Sequence, residues 1–155
     1  MRGPGVQAAM PMKVAGRALY LIVADDEQDT VQTLGAILTD EGHEVIGAYK
    51  GLAVVTQARL RKPDAMILDI DMPGMSGYSV AREVRAMFDL SPPLLVAISG
   101  KWVGQTDRML ADLAGFNHFL QKPCDPQVLL KLLEPLRRMP AWQTDTTIGR
   151  TSDLP

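Results

Sequence analysis

The sequence predicts an α/β protein in which five parallel strands form one sheet with helices packed on both faces. Two observations carry this expectation. Short apolar runs of strand length alternate along the chain with longer segments whose apolar residues recur at helical spacing. The apolar runs are continuous rather than alternating, as strands buried on both faces require. Strand, crossover helix and parallel return build such a sheet because each crossover is right-handed and packs back onto it.

The elements follow in order. "ALYLIVAD" (18–25) reads as the first strand. In "DEQDTVQTLGAILTDEG" (26–42), Val31, Leu34, Ile37 and Leu38 mark a helix that Asp26 or Asp29 can cap and Gly42 stops. "HEVIGAY" (43–49) is the second strand, and "GLAVVTQARLRK" (51–62) is a helix ended by Pro63. "AMILDI" (65–70) is the third strand. The helix "SGYSVAREVRAMF" (76–88) then places Val80, Val84 and Met87 on one face. "PLLVAIS" (93–99) is the fourth strand, and "VGQTDRMLADLAG" (103–115) is a helix closing on Gly115. "FNHFLQ" (116–121) is a short fifth strand. "DPQVLLKLLEPLRRM" (125–139) is the last helix, with Asp125 as cap and Pro126 in its first turn. Pro135 is expected to kink or shorten it. The organisation is therefore a leader (1–17), one domain (18–139) and a polar, aperiodic tail (140–155), both flanks being expected to be flexible.

Composition narrows the function. The chain has 155 residues, 46% of them hydrophobic, which is ample for one core. Its net charge is -2 and its basic residues are scattered. The short clusters at Arg59 to Lys62 and Arg137-Arg138 read as solvated helix faces. Direct nucleic-acid binding is not expected, because neutralising phosphates needs a concentrated basic surface. The lone Cys124 excludes an intrachain disulfide, fits a reducing compartment and reads as packing. No apolar run approaches a membrane span. The leader carries positive charge, but Pro4 and Pro11 interrupt it and it lacks the apolar stretch of a signal peptide, so a cytoplasmic location is expected. His43 and His118 fit no ligand pattern and read as structural or surface residues.

In an open parallel sheet the reactive crevice lies at the carboxyl ends of the strands. Strand one ends at Asp25 and Asp26, strand three at Asp69, strand four at Ser99 and strand five at Lys122, followed by Pro123. If strands one and three are adjacent, three carboxylates share one edge. Neighbouring anions repel and resist ionising. A hard divalent cation relieves that repulsion; Mg2+ takes oxygen ligands, commonly one or two carboxylates with waters and phosphate oxygens. Lys122 adds positive charge and Ser99 a donor, which together make an electrostatic clamp for a phosphoryl group. Asp69, in the middle, is placed to be the nucleophile. Taken singly, a strand-end aspartate often caps a turn and a strand-end lysine often faces water. The conjunction, in order on the right strands, carries the chemistry.

On these residues the sequence resembles the receiver domain of two-component response regulators, from about Ala18 to about Met139, through "LIVADDE", "PDAMILDIDMPGMSG", "VAISG" and "AGFNHFLQKPCDP". The resemblance implies a flavodoxin-like sheet of strand order 2-1-3-4-5. It implies that Asp69 is the phosphoacceptor, that Asp26 binds Mg2+ directly, that Asp25 holds the ion through water, and that the backbone carbonyl of Asp71 is a further ligand. Ser99 matches the switch hydroxyl, Lys122 the family's lysine and Phe119 the switch aromatic, with a cis Lys122–Pro123 bond expected. The implied partners are a sensor histidine kinase or histidine phosphotransfer protein, which donates the phosphoryl group, and a downstream protein effector. Such a domain is a switch rather than a turnover enzyme, and it catalyses only its own phosphotransfer and dephosphorylation. Phosphorylation adds roughly -1.5 to -2 charges. Ser99 then moves toward the new oxygens and Phe119 fills the vacated space. The face formed by the last two helices and fifth strand changes shape and is read by a partner; the same face is available for homodimerisation.

Two departures stand out. Phe119 has no hydroxyl with which to report its position, and Asp71 sends a side chain to the rim, either as a solvated acid or to modulate phosphate lifetime, with Lys101 as counterbalance. Two rivals remain. "DIDM" is similar to the Asp-x-Asp of haloacid-dehalogenase-like phosphatases, but there the motif ends the first strand. A degenerate receiver used only for docking would not need the full set of site residues. The residues after Met139 are too few for an effector domain, so a stand-alone receiver or one excised from a hybrid histidine kinase is expected.

Overall fold

The computed structural model describes residues 16–101 and 104–140. The proposed leader up to residue 15, the tail from 141, and Trp102 and Val103 lie outside the described residues. The strands are β1 (Tyr20–Ala24), β2 (Glu44–Ala48), β3 (Ala65–Asp69), β4 (Leu94–Ser99) and β5 (His118–Gln121). The helices are α1 (Gln28–Asp40), α2 (Gly51–Leu60), α3 (Gly77–Met87), α4 (Gln105–Ala114) and α5 (Pro126–Arg138). They alternate as expected. The sheet order is β2-β1-β3-β4-β5, and every neighbouring pair is parallel.

The unbroken apolar strands have the expected cause: both faces of the sheet are covered. Tyr20, Ile22 and Ala24 of β1 point into a core shared with Val54 of α2, Val80 and Val84 of α3, and Ala111 of α4. Leu21 and Val23 point the other way, into a core shared with Leu34 and Leu38 of α1 and Leu129 and Leu133 of α5. One helix pair therefore covers one face and three helices the other. The edge strand β2 differs, since Glu44 and Gly47 are exposed and only Ala48 is fully buried.

Most boundaries follow the local chemistry. Gly42 takes φ +96° beyond the end of α1, and Gly115 closes α4 at φ +106°, conformations that favour glycine. Asp125 caps α5 by accepting from the Gln127 N–H at 2.9 Å, with Pro126 in the first turn. Two expectations fail. Neither Asp26 nor Asp29 caps α1: the cap residue is Glu27, without a side-chain cap bond, because Asp26 is drawn into the acidic cluster described below. Of the two effects expected of Pro135, shortening does not occur: α5 continues to Arg138. Tertiary contacts hold its last turn despite the lost hydrogen bond. Leu133 is wholly buried. Arg17 N–H donates to the Arg137 carbonyl and Arg17 Nε to that of Met139, both at 3.0 Å.

His43 is a buried structural residue whose Nδ1 accepts the Leu19 N–H at 3.1 Å, while His118 is half-buried on β5. Cys124 is half-buried against the α1–α5 core, as a packing residue would be. Among the described residues no helix is long and apolar enough to cross a membrane.

Candidate functional site

Register brings the strand ends together. Ala24 of β1 pairs with Leu68 of β3, so Asp25 follows one strand where Asp69 ends the next. One carboxylate oxygen from each of Asp25, Asp26 and Asp69 lies within 4.8 Å of the others. Asp25 and Asp69 are buried, and Asp26 is exposed. Asp25 is fixed through its backbone N–H, which donates to the Ala48 carbonyl at 3.1 Å, and through Oδ1, which accepts the Glu27 N–H at 2.9 Å. Asp69 Oδ1 accepts the Asp71 N–H at 3.2 Å.

Lys122 faces this cluster from the end of β5. Its Nζ is 2.5 Å from Asp25 Oδ2, 3.7 Å from Asp69 Oδ2 and 3.4 Å from Glu27 Oε1. The contact with Asp25 is an ion pair without an aligned hydrogen bond. Burial alone would lower the Lys122 pKa, but Asp25, Asp69 and Glu27 together outweigh it and raise it. The Asp69 carboxyl is pushed up to about 6, first by burial and then by the Asp25 charge, against the pull of the Asp71 N–H and Lys122. Desolvation thus outranks the crowding that the sequence suggested. One ammonium among four acids leaves net negative charge. Together with oxygen donors this close, that fits a hard divalent cation.

The other sequence-derived residues take their places around this centre. Ser99 is buried at the end of β4; its Oγ accepts the Lys101 N–H at 3.3 Å and its carbonyl the Lys122 N–H at 2.8 Å. The Lys122–Pro123 bond is cis. Asp71 and Lys101 form an exposed ion pair at 3.5 Å across the rim, the counterbalance expected of Lys101. Phe119 is half-buried on β5 and packs against the core under α2, α3 and α4.

Three contributors were not singled out from sequence. Glu27 is the third acid on Lys122; its only signal was adjacency to Asp25 and Asp26. Gly77 lies so close to the end of β3 that a Cβ would sit 2.6 Å from the Asp69 carbonyl oxygen. Arg108 of α4 stands over the Phe119 ring, 5.8 Å from its centroid. The last two are tertiary approaches that leave no local signature.

Comparison with known proteins agrees with this geometry. The response regulator receiver domain family matches residues 21–134. Protein PilH of Pseudomonas aeruginosa is 31% identical over 113 residues, covering 73% of this chain and 93% of PilH. The transcriptional regulatory protein CreB of Escherichia coli is 31% identical over 129 residues, covering 83% of this chain and 55% of CreB. Among solved structures, the receiver domain of sensor histidine kinase PA1611 from Pseudomonas aeruginosa has magnesium coordinated in its active-site cleft. It superposes with a TM-score of 0.67 at 25% identity, covering 77% of this chain and 97% of that one. With its sheet order, its acidic pocket and a family match over most of its length, this chain belongs to the response regulator receiver domains, the phosphorylation-dependent switches of two-component signalling.

Proposed function

We propose that Asp69 accepts a phosphoryl group from a phosphohistidine on a sensor histidine kinase or histidine phosphotransfer protein, and that the resulting charge switches binding of a downstream protein. One observation carries the proposal: three carboxylates at the ends of β1 and β3 converge within 4.8 Å opposite the ammonium of Lys122. The donor's nitrogen–phosphorus bond breaks as an Asp69 oxygen–phosphorus bond forms, and the electron pair leaves with the imidazole nitrogen. Asp25, Asp26, Asp69 and the carbonyl of Asp71 are the groups that would hold Mg2+. When bound, the ion neutralises phosphoryl oxygens and lowers the barrier to attack. Lys122, already drawn to Asp69, pairs with another peripheral oxygen. Ser99, whose Oγ accepts the Lys101 N–H in the resting site, donates its O–H to the new oxyanion, and Phe119 moves into the space beside it.

The Asp69 pKa of about 6 leaves the carboxylate mostly ionised at neutral pH and therefore nucleophilic. An open groove of about 500 Å³ runs beside the centre, lined by Glu27, Thr30, Lys122, Pro123 and Cys124, and gives a donor imidazole an approach. We assign 18–139 to the receiver unit, with 1–17 and 140–155 as flanks, acting in the cytoplasm and catalysing only its own phosphorylation and dephosphorylation. Output passes through α4, β5 and α5, the face we also assign to any homodimer. The likeness to the PA1611 receiver supports a second reading of context, a receiver from a hybrid kinase. The test is incubation with acetyl phosphate and Mg2+. Intact mass spectrometry should show one added phosphoryl group, lost in Asp69→Asn or with EDTA. Mass unchanged in the wild type, or catalytic turnover of p-nitrophenyl phosphate, would overturn the proposal.

A further inference from the structure

We infer that Arg108 is a positioning residue for the switch: its guanidinium, standing over the Phe119 ring within cation–π range, holds the ring in its half-buried place and biases the domain toward the unphosphorylated form. This rests on the reading above, in which Phe119 moves when Asp69 is phosphorylated.

The geometry follows from strand register. Phe119 of β5 is paired with Ala97 of β4, and both pack into the core under α2, α3 and α4. Ser99 lies two residues beyond Ala97, and alternation in a strand puts its side chain on that same face. The switch hydroxyl and the ring are therefore neighbours on one side of the sheet. Any inward move of the ring takes it toward Ser99 and away from solvent.

Arg108 marks the opposite direction. It projects from the first turns of α4, is exposed, and its Cζ stands 5.8 Å from the ring centroid, within cation–π range. A cation this near a helix N-terminus gains nothing from the helix dipole. Among the described residues Arg108 has no ion-pair partner, so the ring is what the guanidinium engages. Phe119 has no hydroxyl to anchor it, and a charge on its π-face supplies the hold. The helix that carries Arg108 is lightly anchored. It buries only Ala111 and Ala114, while Met109, Leu110 and Leu113 are exposed. Arg108 thus links a loosely held helix to the ring that must move, and moving the ring inward breaks that link.

The test compares Arg108→Met and Arg108→Lys, each with Phe119 and with Phe119→Leu. When the competent conformer is the minor one, apparent reactivity scales with its population. Phosphorylation by acetyl phosphate should be about 2- to 5-fold faster in Arg108→Met, the change expected for losing one exposed cation–π contact. Arg108→Lys should fall between the two. In the Phe119→Leu background the Arg108→Met change should vanish, and the two Phe119→Leu proteins, with and without Arg108→Met, should melt at the same temperature. An unchanged or slower Arg108→Met protein, or an equal change without the ring, would overturn the inference. A wild type that takes no phosphate would count against the Asp69 reading instead. The latch is then read by NMR: Arg108 side-chain protons should show an upfield ring-current shift that disappears in Phe119→Leu, and no such shift in the wild type would refute it.

Discussion

Replacing Asp69 with Asn should make the metal-free domain more stable, and the gain should depend on pH. The folded-state pKa of Asp69 is raised from 3.8 to about 6. The native state therefore favours the protonated form, and this side chain opposes folding once it is ionised. The penalty is absent below the unfolded pKa, grows as pH rises through the folded pKa, and is constant above about 6. A shift of about 2 units corresponds to roughly 3 kcal/mol. Solvent reaching the cluster beside exposed Asp26 screens part of this, leaving about 1–3 kcal/mol at pH 7.5. At this size each kcal/mol moves the melting temperature by about 3–5 °C. The assay is urea and thermal unfolding of both proteins in EDTA at pH 7.5 and pH 4. The Asn variant should be more stable at the higher pH and nearly equal at the lower. Added Mg2+ should stabilise the wild type more than the variant, which has lost a ligand. A lower melting temperature in EDTA, or a gain of the same size at both pH values, would refute the account of a buried, charge-crowded carboxylate.

Three further outcomes are expected. Lys122→Ala should fold, as circular dichroism would check, but take phosphate from a small donor more slowly or fail to switch its partner; normal phosphorylation and response would contradict its role. Gly77→Ala should destabilise the domain by about 1–3 kcal/mol in urea unfolding, because its Cβ would meet the Asp69 carbonyl at 2.6 Å. His43 has its pKa lowered from 6.5, first by burial and then by Arg137, so its neutral form is the native one and stability is lost as pH falls below about 6.5. His43→Asn, whose side-chain oxygen can accept the Leu19 N–H, should lose less stability than wild type between pH 7.5 and 5.

Much of the site was legible because parallel topology is a strong constraint. Once strands were recognised from unbroken apolar runs, their carboxyl ends had to share an edge. Asp25, Asp26, Asp69, Ser99 and Lys122 stood at those ends in the sequence itself. What could not be read depended on distances across the fold. Glu27 reaches Lys122 over 95 positions of chain, and Arg108 meets Phe119 between helix and strand. The shortening that local propensity favours at Pro135 does not occur, because Arg17 brackets the end of α5 from the other terminus of the domain. The crowding of Asp25, Asp26 and Asp69 in the sequence gives the direction of the Asp69 shift, but burial is its largest cause, and burial belongs to the assembled sheet.

In the mechanism proposed above, one aspartyl oxygen, at position 69, is where phosphorus lands. Reduction of the phosphorylated protein with borohydride converts an aspartyl phosphate to homoserine, and peptide mapping locates the change. Homoserine should be found at position 69, dependent on Mg2+. Modification at any other residue, or none at position 69 in protein that carries phosphate, would contradict it.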